Sequence, residues 1–484
     1  MTSESSTADV VVIGGGPGGY AAAFRAADLG KSVTLIDADP RLGGVCVNRG
    51  CIPSKALLHQ AAVIQGVREA AQHGVTFGAP TIDLERIRAW KDEIVTKLGN
   101  GVGDHAKRRK VRYLRARGRF VSSSEVEVTP LPGDESLAAQ RVRFGHAIVA
   151  TGSLPICPRL FAIGDVRVMD STGALELPDV PARLLVVGGG YIGLELGSVY
   201  AALGSQVSVV EKLDGLLPGV DRDLVRVLEK RVKEQLAAIE LSTEVTALEP
   251  RADGVAVTLR RAGGGEDQRL FDRVLVAVGR RPNTEGLGLE VTGVTLDERG
   301  FITVDAQRRS ADPRIFAIGD VAGEPMLAHK AAHEAKVAAE AIAGHSAAFE
   351  PRAIPAVVFT DPEIAWCGLT ESEAKRSGRT IEVLRMPWGG WGRALTLGRP
   401  DGATKLIVDP ETEQVLGMGV VGAGAGELIA EGCLAIEMGA LVRDVAETIH
   451  PHPTLSETIS EVAESFFGNA THFVRPRKER TPKA

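Results

Sequence analysis

The feature that most constrains the fold is a strand, glycine turn, helix and strand unit that occurs twice. In the first copy, the apolar run Val10–Ile13 leads into Gly14–Gly19, which has the spacing G-x-G-x-x-G. A helix over 20–29 and a strand over 32–36 are predicted next, and that strand ends on Asp37. Such glycines permit a tight turn close to a pyrophosphate, and the acid can accept a hydrogen bond from a ribose hydroxyl. The unit therefore predicts a dinucleotide-binding fold.

The second copy repeats the first with a constant offset. Gly188 follows Gly14 by 174 positions, and Glu211 follows Asp37 by the same 174. Chance or shared packing is the alternative explanation, but agreement at every glycine and at the acid argues against it. Two dinucleotide sites are predicted, with phosphate-binding glycines Gly14, Gly16, Gly19, Gly188, Gly190 and Gly193 and with ribose-binding acids Asp37 and Glu211.

Between the two units lies a closely spaced pair of cysteines, Cys46 and Cys51, with four residues between them. Pro53 follows where a helix can begin, since proline is tolerated in a first helical turn. A thiolate at Cys51 would be favoured by the helix N-terminus and by the charge of Lys55. A disulfide over so short a loop is expected to be strained and easily reduced. A small structural disulfide, or two unrelated thiols, are the alternatives.

Composition excludes several classes of function. The chain has 484 residues, a formal net charge of −6 and no apolar run long enough to span a bilayer. These values predict neither nucleic acid nor membrane as a partner. The polar start over 1–8 resembles neither a signal nor a transit peptide, so a cytoplasmic protein is expected. No metal site is predicted, and Cys157, Cys367 and Cys433, without close partners in the sequence, are expected to be ordinary packing thiols.

The cysteine segment carries a family resemblance. Residues 43–58 read GGVCVNRGCIPSKALL, and this resembles the redox-active site of the pyridine nucleotide:disulfide oxidoreductases. Within that family it is most similar to the enzymes that oxidise dihydrolipoamide. Further matching segments are ATGSLP at 150–155, AVGRRPN at 277–283, RIFAIGD at 314–320 and HPHPTLSE at 450–457. The resemblance covers nearly the whole chain, and the departures from it are Val45, Arg49 and Pro451.

The resemblance implies an α/β fold with two Rossmann-like dinucleotide-binding domains, for FAD and NAD, plus an α+β C-terminal dimerisation domain. The expected boundaries are 1–152 for the first part of the FAD domain, 153–281 for the NAD domain, 282–354 for the central domain and 355–484 for the dimerisation domain. In that last region the pattern itself predicts strands over 356–359, 381–386, 404–408 and 415–421 and a helix over 427–438.

The resemblance also implies roles for individual residues. Cys46 would exchange with the substrate and Cys51 would lie against the flavin. His452 would be the base that Glu457 orients, whereas His450 would be structural. The remaining cofactor-binding residues implied in this way are Lys55, Gly118, Thr151, Gly152, Glu195, Val245, Gly279, Asp320 and Ala328. The sequence FAIGDV occurs at both 161–166 and 316–321, and Asp320 is chosen over Asp165 because a helix follows it.

The expected activity is oxidation of protein-bound dihydrolipoamide with FAD and NAD, by a homodimer. The expected partner is a lipoyl domain of a 2-oxo acid dehydrogenase complex or the H protein of glycine cleavage. Glutathione and mercuric reductases share this plan but use NADP, and an acid at Glu211 disfavours its 2′-phosphate. A non-catalytic assembly subunit is the alternative of a different class, and the intact set of reacting residues argues against it.

Overall fold

A computed structural model describes residues 5–133 and 137–474. The described residues fall into two compact units. One lies within Met1–Val180 and Leu275–Glu350, and the other within Pro181–Val274 and Pro351–Ala484. Each unit is assembled from two separate stretches of chain. The division of the sequence into four domains stays a prediction.

The strands and helices follow the chain in this order. Up to residue 180 they are β1 (Ser5–Ile13), α1 (Pro17–Asp28), β2 (Val33–Asp37), α2 (Gly44–Arg49), α3 (Cys51–Ala70), α4 (Leu84–Arg108), β3 (Arg112–Ser122), β4 (Glu125–Pro130), β5 (Gln140–Val149), β6 (Ser153–Pro155), β7 (Val168–Met169) and α5 (Ser171–Leu175). Up to residue 350 they are β8 (Arg183–Val187), α6 (Tyr191–Leu203), β9 (Gln206–Val210), α7 (Arg222–Gln235), β10 (Ala238–Glu240), β11 (Thr243–Arg251), β12 (Gly254–Arg261), β13 (Glu266–Phe271), β14 (Arg273–Val276), β15 (Arg280–Pro282), β16 (Ile315–Ala317) and α8 (Ala328–Ile342). The remainder are β17 (Ala356–Val358), β18 (Glu363–Gly368), α9 (Glu371–Ser377), β19 (Glu382–Pro387), α10 (Gly392–Thr396), β20 (Ala403–Val408), β21 (Val415–Gly422), α11 (Ala425–Met438), α12 (Val442–Ala446) and α13 (Glu457–Phe467).

The first unit is built on a sheet in which β1 lies between β2 and β5, parallel to both. β16 pairs in parallel with β5, and β3 with β2. β1 is buried on both faces: Val10 and Val12 pack in one core with α1 and α8 residues, and Val11 and Ile13 pack in another. Burial on both faces explains why the sequence of β1 is continuously apolar. Because parallel strands end at one edge, the turn after β1 and Asp37 at the end of β2 meet there.

The second unit contains a parallel sheet of β8, β9 and β10. It also contains an antiparallel sheet in the order β17-β18-β21-β20-β19, packed around a core that includes Trp388 and Met418. The four strands and the helix predicted in this region are present. β18 (Glu363–Gly368) was not predicted, because polar and apolar residues do not alternate along its six residues. Across the described residues, no helix is both long and apolar enough to cross a membrane.

Candidate active site

In both glycine turns, the last glycine of the motif is required by packing, whereas the middle glycine borders open space. A Cβ atom on Gly19 would collide with the carbonyl oxygen of Gly14, and one on Gly193 would collide with that of Gly188. These outer glycines are therefore required by packing of the helix on the turn. At the middle position of the first turn, a Cβ on Gly16 would approach nothing closer than Gly44 Cα at 3.8 Å, and one on Gly190 would meet nothing within 4 Å. The space beside the middle glycines fits a pyrophosphate.

The helices that follow these turns both begin directly after a glycine. Gly16 is the N-cap of α1 and Gly190 the N-cap of α6, and neither position supplies a capping side chain. The first N–H groups of a helix have no intrahelical acceptor, and the helix dipole favours an anion there. Both turns thus fit a dinucleotide phosphate.

Asp37, the last residue of β2, and Glu211, which directly follows β9, both hold the glycine turns. Asp37 accepts hydrogen bonds from the N–H groups of Gly15 and of Asp39, the latter at 2.6 Å. Glu211 repeats this arrangement, with bonds from Gly189 N–H at 2.6 Å and Leu213 N–H at 2.8 Å. Burial raises the pKa of Asp37, and the two N–H groups offset this only in part. The turn-holding role of the acids was not predicted from sequence.

The two cysteines lie at the junction of two helices, as the sequence predicted. Cys46 is in α2, and Cys51 is the first residue of α3, with Pro53 in the first turn. Both are thiols in this structure, and Cys46 is half-buried whereas Cys51 is exposed. The hydrogen bond to Cys51 raises the pKa of Cys46, burial raises it further, and the charge of Lys55 opposes both effects. Cys46 therefore holds its proton firmly while Cys51 occupies the helix N-terminus, where a thiolate is favoured.

Backbone contacts join this dithiol segment to the first glycine turn. The N–H of Gly43 donates to the carbonyl oxygen of Gly15 at 2.8 Å. A Cβ on Gly44 would lie 2.5 Å from Gly16 Cα, so the two chain segments are in direct contact. Arg49, one of the departures from the family pattern, binds Asp39 at 2.8 Å and so adds a side-chain link to the same region. The dithiol is thus fixed beside the first dinucleotide turn.

Asp320 is held from two sides. Its side chain accepts a hydrogen bond from Ser153 Oγ at 2.5 Å, and Arg280 Nε donates to the same Ser153 Oγ at 2.8 Å. Its backbone turn is held by the fully buried Glu334, which accepts from Gly319 N–H at 2.6 Å and pairs with Arg308 at 2.7 Å. Asp320 lies close enough to Cys46 for its negative charge to raise the pKa of that thiol. Ser153 lies within the matching segment ATGSLP, but no role was predicted for it, and no sequence pattern indicates a role for Glu334.

The first FAIGDV copy adopts a different structure from the second. Phe316 lies on the buried strand β16, but Phe161 ends a short 3-10 helix. The Asp165 carboxylate binds the guanidinium of Arg167, with the closest pair of atoms 2.7 Å apart. Asp165 thus forms a local ion pair, in a backbone setting different from that of Asp320.

The other predicted cofactor residues lie at these places. Thr151 Oγ1 donates to the carbonyl oxygen of Asn283 at 2.7 Å, and Gly152 O accepts from Asn283 N–H at 3.0 Å. Gly118 lies on β3, Val245 on β11 and Ala328 at the start of α8, and Gly279 has a φ of 123°. The buried Glu195 lies on α6 and accepts a hydrogen bond from Phe359 N–H at 3.0 Å. The family resemblance also implies that Lys55 pairs with Glu195. The two residues belong to different compact units, and their pairing stays a prediction.

The two histidines of the C-terminal segment differ as predicted. His450 is only 6% exposed, and its ring nitrogens bind Glu431 and the Thr448 carbonyl, both at 2.8 Å. His452 is 79% exposed, and its Nδ1 lies 2.9 Å from Glu457 Oε1. Burial alone would raise the pKa of Glu457, but bonds from Thr454 N–H and from the His452 ring hold it below its ordinary value. The His452 ring is thus oriented by a carboxylate, with its other nitrogen directed away from that bond.

The fold and these sites define a disulfide oxidoreductase with two dinucleotide sites. Residues 8–335 match the pyridine nucleotide-disulphide oxidoreductase family, and residues 354–463 match the dimerisation domain of that family. A dihydrolipoyl dehydrogenase from Vibrio cholerae is 47% identical, over 97% of this chain and 98% of its own length. Another from Thermus scotoductus is 46% identical, over 97% and 99%.

Two solved structures are similar over almost their whole length. LpdA from Mycobacterium tuberculosis has a TM-score of 0.86 and 28% identity, covering 95% of this chain and 99% of its own. The other is RclA from Escherichia coli, an HOCl-induced flavoprotein disulfide reductase solved as a Cu(II) complex. It has a TM-score of 0.82 and 27% identity, covering 93% of this chain and 98% of its own. The chain belongs to the pyridine nucleotide-disulphide oxidoreductase family, in its dihydrolipoyl dehydrogenase branch. The predicted fold class is confirmed, and FAD and NAD are the cofactors.

Proposed function

We propose that the protein oxidises dihydrolipoyl groups carried by a partner protein, with Cys46 and Cys51 as the redox pair and NAD as the final acceptor. The observation that carries this proposal is the bond from Gly43 N–H to Gly15 O, because it attaches the dithiol helix to the first dinucleotide turn. Electrons can leave a dithiol through a flavin only if the two lie close together. The full-length relatives named dihydrolipoyl dehydrogenase support the choice of substrate.

Each turnover begins from the oxidised Cys46–Cys51 pair. A substrate thiolate attacks Cys46 Sγ, and Cys51 leaves as a thiolate that the helix N-terminus stabilises. The second substrate sulfur then displaces Cys46, which yields the cyclic lipoyl disulfide and the reduced pair. His452 takes the proton of the attacking substrate thiol, and Glu457 stabilises the resulting imidazolium. FAD held beside the dithiol would supply the acceptor for its electron pair and the route of that pair to NAD.

The residues of the two nucleotide sites fit these assignments. Asp37 and the turn from Gly14 would hold FAD, with Asp320 near its ribityl region. Glu211 and the turn from Gly188 would hold NAD. A carboxylate at 211 would repel the 2′-phosphate of NADP and bind a 2′-hydroxyl, which favours NAD over the NADP used by related reductases.

The proposed working unit is a homodimer that acts in the cytoplasm. The match of 354–463 to the family's dimerisation domain supports a dimer, with His452 facing the dithiol of the other subunit. The lipoyl group is proposed to arrive on a lipoyl domain of a 2-oxo acid dehydrogenase complex or on the H protein of glycine cleavage. Both would present the same dithiol arm.

The test is anaerobic reduction of the purified holoenzyme by dihydrolipoamide. Two-electron reduction should give a long-wavelength thiolate-to-flavin band while the flavin is still oxidised, and NADH should accumulate once NAD is added. Cys51→Ser should abolish the band, whereas Cys46→Ser should leave a thiolate beside the flavin without turnover. Cys157→Ser, an exposed thiol outside the pair, is the matched control. Full activity in both Cys46→Ser and Cys51→Ser, or equal efficiency with NADP, would contradict the proposal.

A further inference from the structure

A second pair of thiols lies outside the proposed redox site. Cys367 on β18 and Cys433 on α11 are 66 residues apart in sequence, since 433 minus 367 is 66, yet their sulfur atoms are hydrogen-bonded. Both were expected to be ordinary packing thiols, and both are free thiols, but their contact with each other was not predicted. Proximity in the sequence could not reveal a contact made by packing a helix on a sheet.

The close approach of α11 to the sheet produces this contact. Cys367 lies directly opposite Met418 in the β18–β21 pairing. Gly432, the neighbour of Cys433, sits against that same methionine, and a Cβ on Gly432 would lie 2.8 Å from Met418 Cβ. Only a glycine lets the helix lie so near the sheet, and the sulfur of the next residue thereby reaches Cys367.

The two thiols are unequal, as an oxidisable pair requires. Cys367 is 1% exposed within the core, whereas Cys433 is half-buried and packs at its margin. The hydrogen bond from Cys367 lowers the pKa of Cys433, against burial and the charge of Glu437, and the same bond with burial raises the pKa of Cys367. Cys433 is thus the more accessible and the more readily ionised sulfur. A thiolate is the form that reacts with peroxides.

We propose that Cys367 and Cys433 are a second redox-responsive pair, which hydrogen peroxide oxidises to a disulfide joining β18 to α11. Cys433 thiolate attacks the peroxide O–O bond and becomes a sulfenic acid, with release of one water after protonation. The Cys367 sulfur then attacks the sulfenic sulfur, the S–S bond forms and a second water leaves. Two thiols and one peroxide give one disulfide and two waters, so two electrons pass to the peroxide.

Such a bond would restrain the helix that supports the C-terminal histidines. Glu431, two residues before Cys433 on α11, binds His450 at 2.8 Å. A covalent link between α11 and β18 removes local opening of the helix from the sheet. Formation of this bond should therefore slow hydrogen exchange in α11.

The experiment uses the full-length holoenzyme, treated with hydrogen peroxide and digested with trypsin without reduction. Cys367 falls in peptide 353–375 and Cys433 in peptide 406–443, each with a single cysteine. The expected product is a linked pair of these peptides, lighter by two hydrogen atoms than their sum and separated by dithiothreitol. A link between peptides 42–49 and 50–55, which carry Cys46 and Cys51, serves as the internal standard for oxidation.

Variants give matched comparisons. Cys433→Ser should abolish the 353–375 link completely, and Cys367→Ser should leave a sulfenic acid at Cys433 that dimedone traps. Cys157→Ser should keep the link at the wild-type level. Peroxide treatment that oxidises the 42–49 and 50–55 pair but leaves Cys433 unlinked, or converts it only to sulfinic acid, would overturn the proposal. So would a link that forms only after unfolding in urea.

Discussion

The N–H of Gly43 donates a hydrogen bond to the carbonyl oxygen of Gly15, with 2.8 Å between nitrogen and oxygen. One residue precedes the dithiol helix α2 and the other is in the first dinucleotide turn. The separation between the backbone at the start of α2 and this turn is therefore set by a backbone hydrogen bond. A redox centre benefits from such rigidity, because electron transfer depends on a fixed geometry.

We predict that Gly44→Ala weakens this junction. Gly44 has a φ of 56°, and an added Cβ would lie 2.5 Å from Gly16 Cα. Backbone strain alone should cost about 1–2 kcal/mol of unfolding free energy, and the collision adds to it. Gly66→Ala, in α3 with open space around it, is the control and should be neutral or stabilising. Thermal unfolding and flavin content of the purified variants measure the effect, and equal behaviour of the two variants would contradict it.

Ser153→Ala should weaken FAD binding. The variant removes the 2.5 Å bond to Asp320 and the 2.8 Å bond from Arg280 Nε, while Arg280 Nη2 still donates to the Ser153 carbonyl oxygen. A hydrogen bond to a charged group is worth about 1.5–3 kcal/mol, so FAD affinity should fall by roughly tenfold or more. Flavin fluorescence released during dialysis provides the dissociation constant. Ser346→Ala, at an exposed position, should bind FAD like the wild type. An unchanged constant for Ser153→Ala would mean that Asp320 is positioned without it.

Gly44 and Ser153 illustrate which parts of the site could be predicted from the sequence and which could not. Local patterns fixed the β1 turn, Asp37 and the start of α3 at Cys51, because glycine spacing, strand ends and Pro53 act over a few residues. The Ser153–Asp320 bond spans 167 residues and the Cys367–Cys433 contact spans 66. Such contacts depend on how strands and helices pack, and no periodicity within one segment encodes them. Resemblance supplied the role of Asp320 but not the residues that hold it.

His452→Gln should separate the two half-reactions. Loss of a general base typically costs 10²–10⁴-fold, so oxidation of dihydrolipoamide should fall by roughly 10²-fold or more. Reduction of the flavin by NADH needs no base for a thiol and should persist, as assayed with ferricyanide. His450→Gln is the comparison. Both ring nitrogens of His450 already have partners, so this variant should lose thermal stability and keep most of its turnover. Equal loss of both half-reactions in His452→Gln would argue for misfolding instead of a missing base.

Lys405→Met should make the protein sensitive to acid. Lys405 is 2% exposed, and its Nζ lies 2.6 Å from Asp221, 2.8 Å from Asp223 and 3.0 Å from Glu371. Removing one partner of a buried ion cluster typically costs about 3–5 kcal/mol. Lys336→Met, at an exposed site on α8, should cost little.

The pH dependence follows from Asp223. Burial raises its pKa, but the bonds from Lys405 and Arg385 outweigh burial and hold the pKa below 3.8. A lowered native pKa stabilises the fold above the unfolded value, and that stability is lost as pH falls through the native pKa. Without Lys405 the native pKa of Asp223 should rise, and the stability that its low pKa gives near neutral pH should be lost. Because the variant then starts from a lower free energy of unfolding, the midpoint of acid unfolding should move to higher pH. Circular dichroism during an acid titration measures the midpoint, and an unmoved midpoint would show that the cluster does not stabilise the fold.

The last prediction concerns the division of the active site between subunits. If His452 of one chain serves the dithiol of the other, Cys46→Ser and His452→Ala homodimers are each inactive. A mixed dimer then has one site with both defects and one intact site. Random reassortment should put roughly half of the chains into mixed dimers, since a two-fold interface joins the same surface of either chain. Part of the wild-type activity should therefore return, in proportion to mixed dimers counted by native mass spectrometry. The His450→Gln chain, which keeps both reacting groups, is the control partner. If counted mixed dimers of the two inactive variants showed no activity, base and dithiol would belong to one chain and the shared site would be refuted.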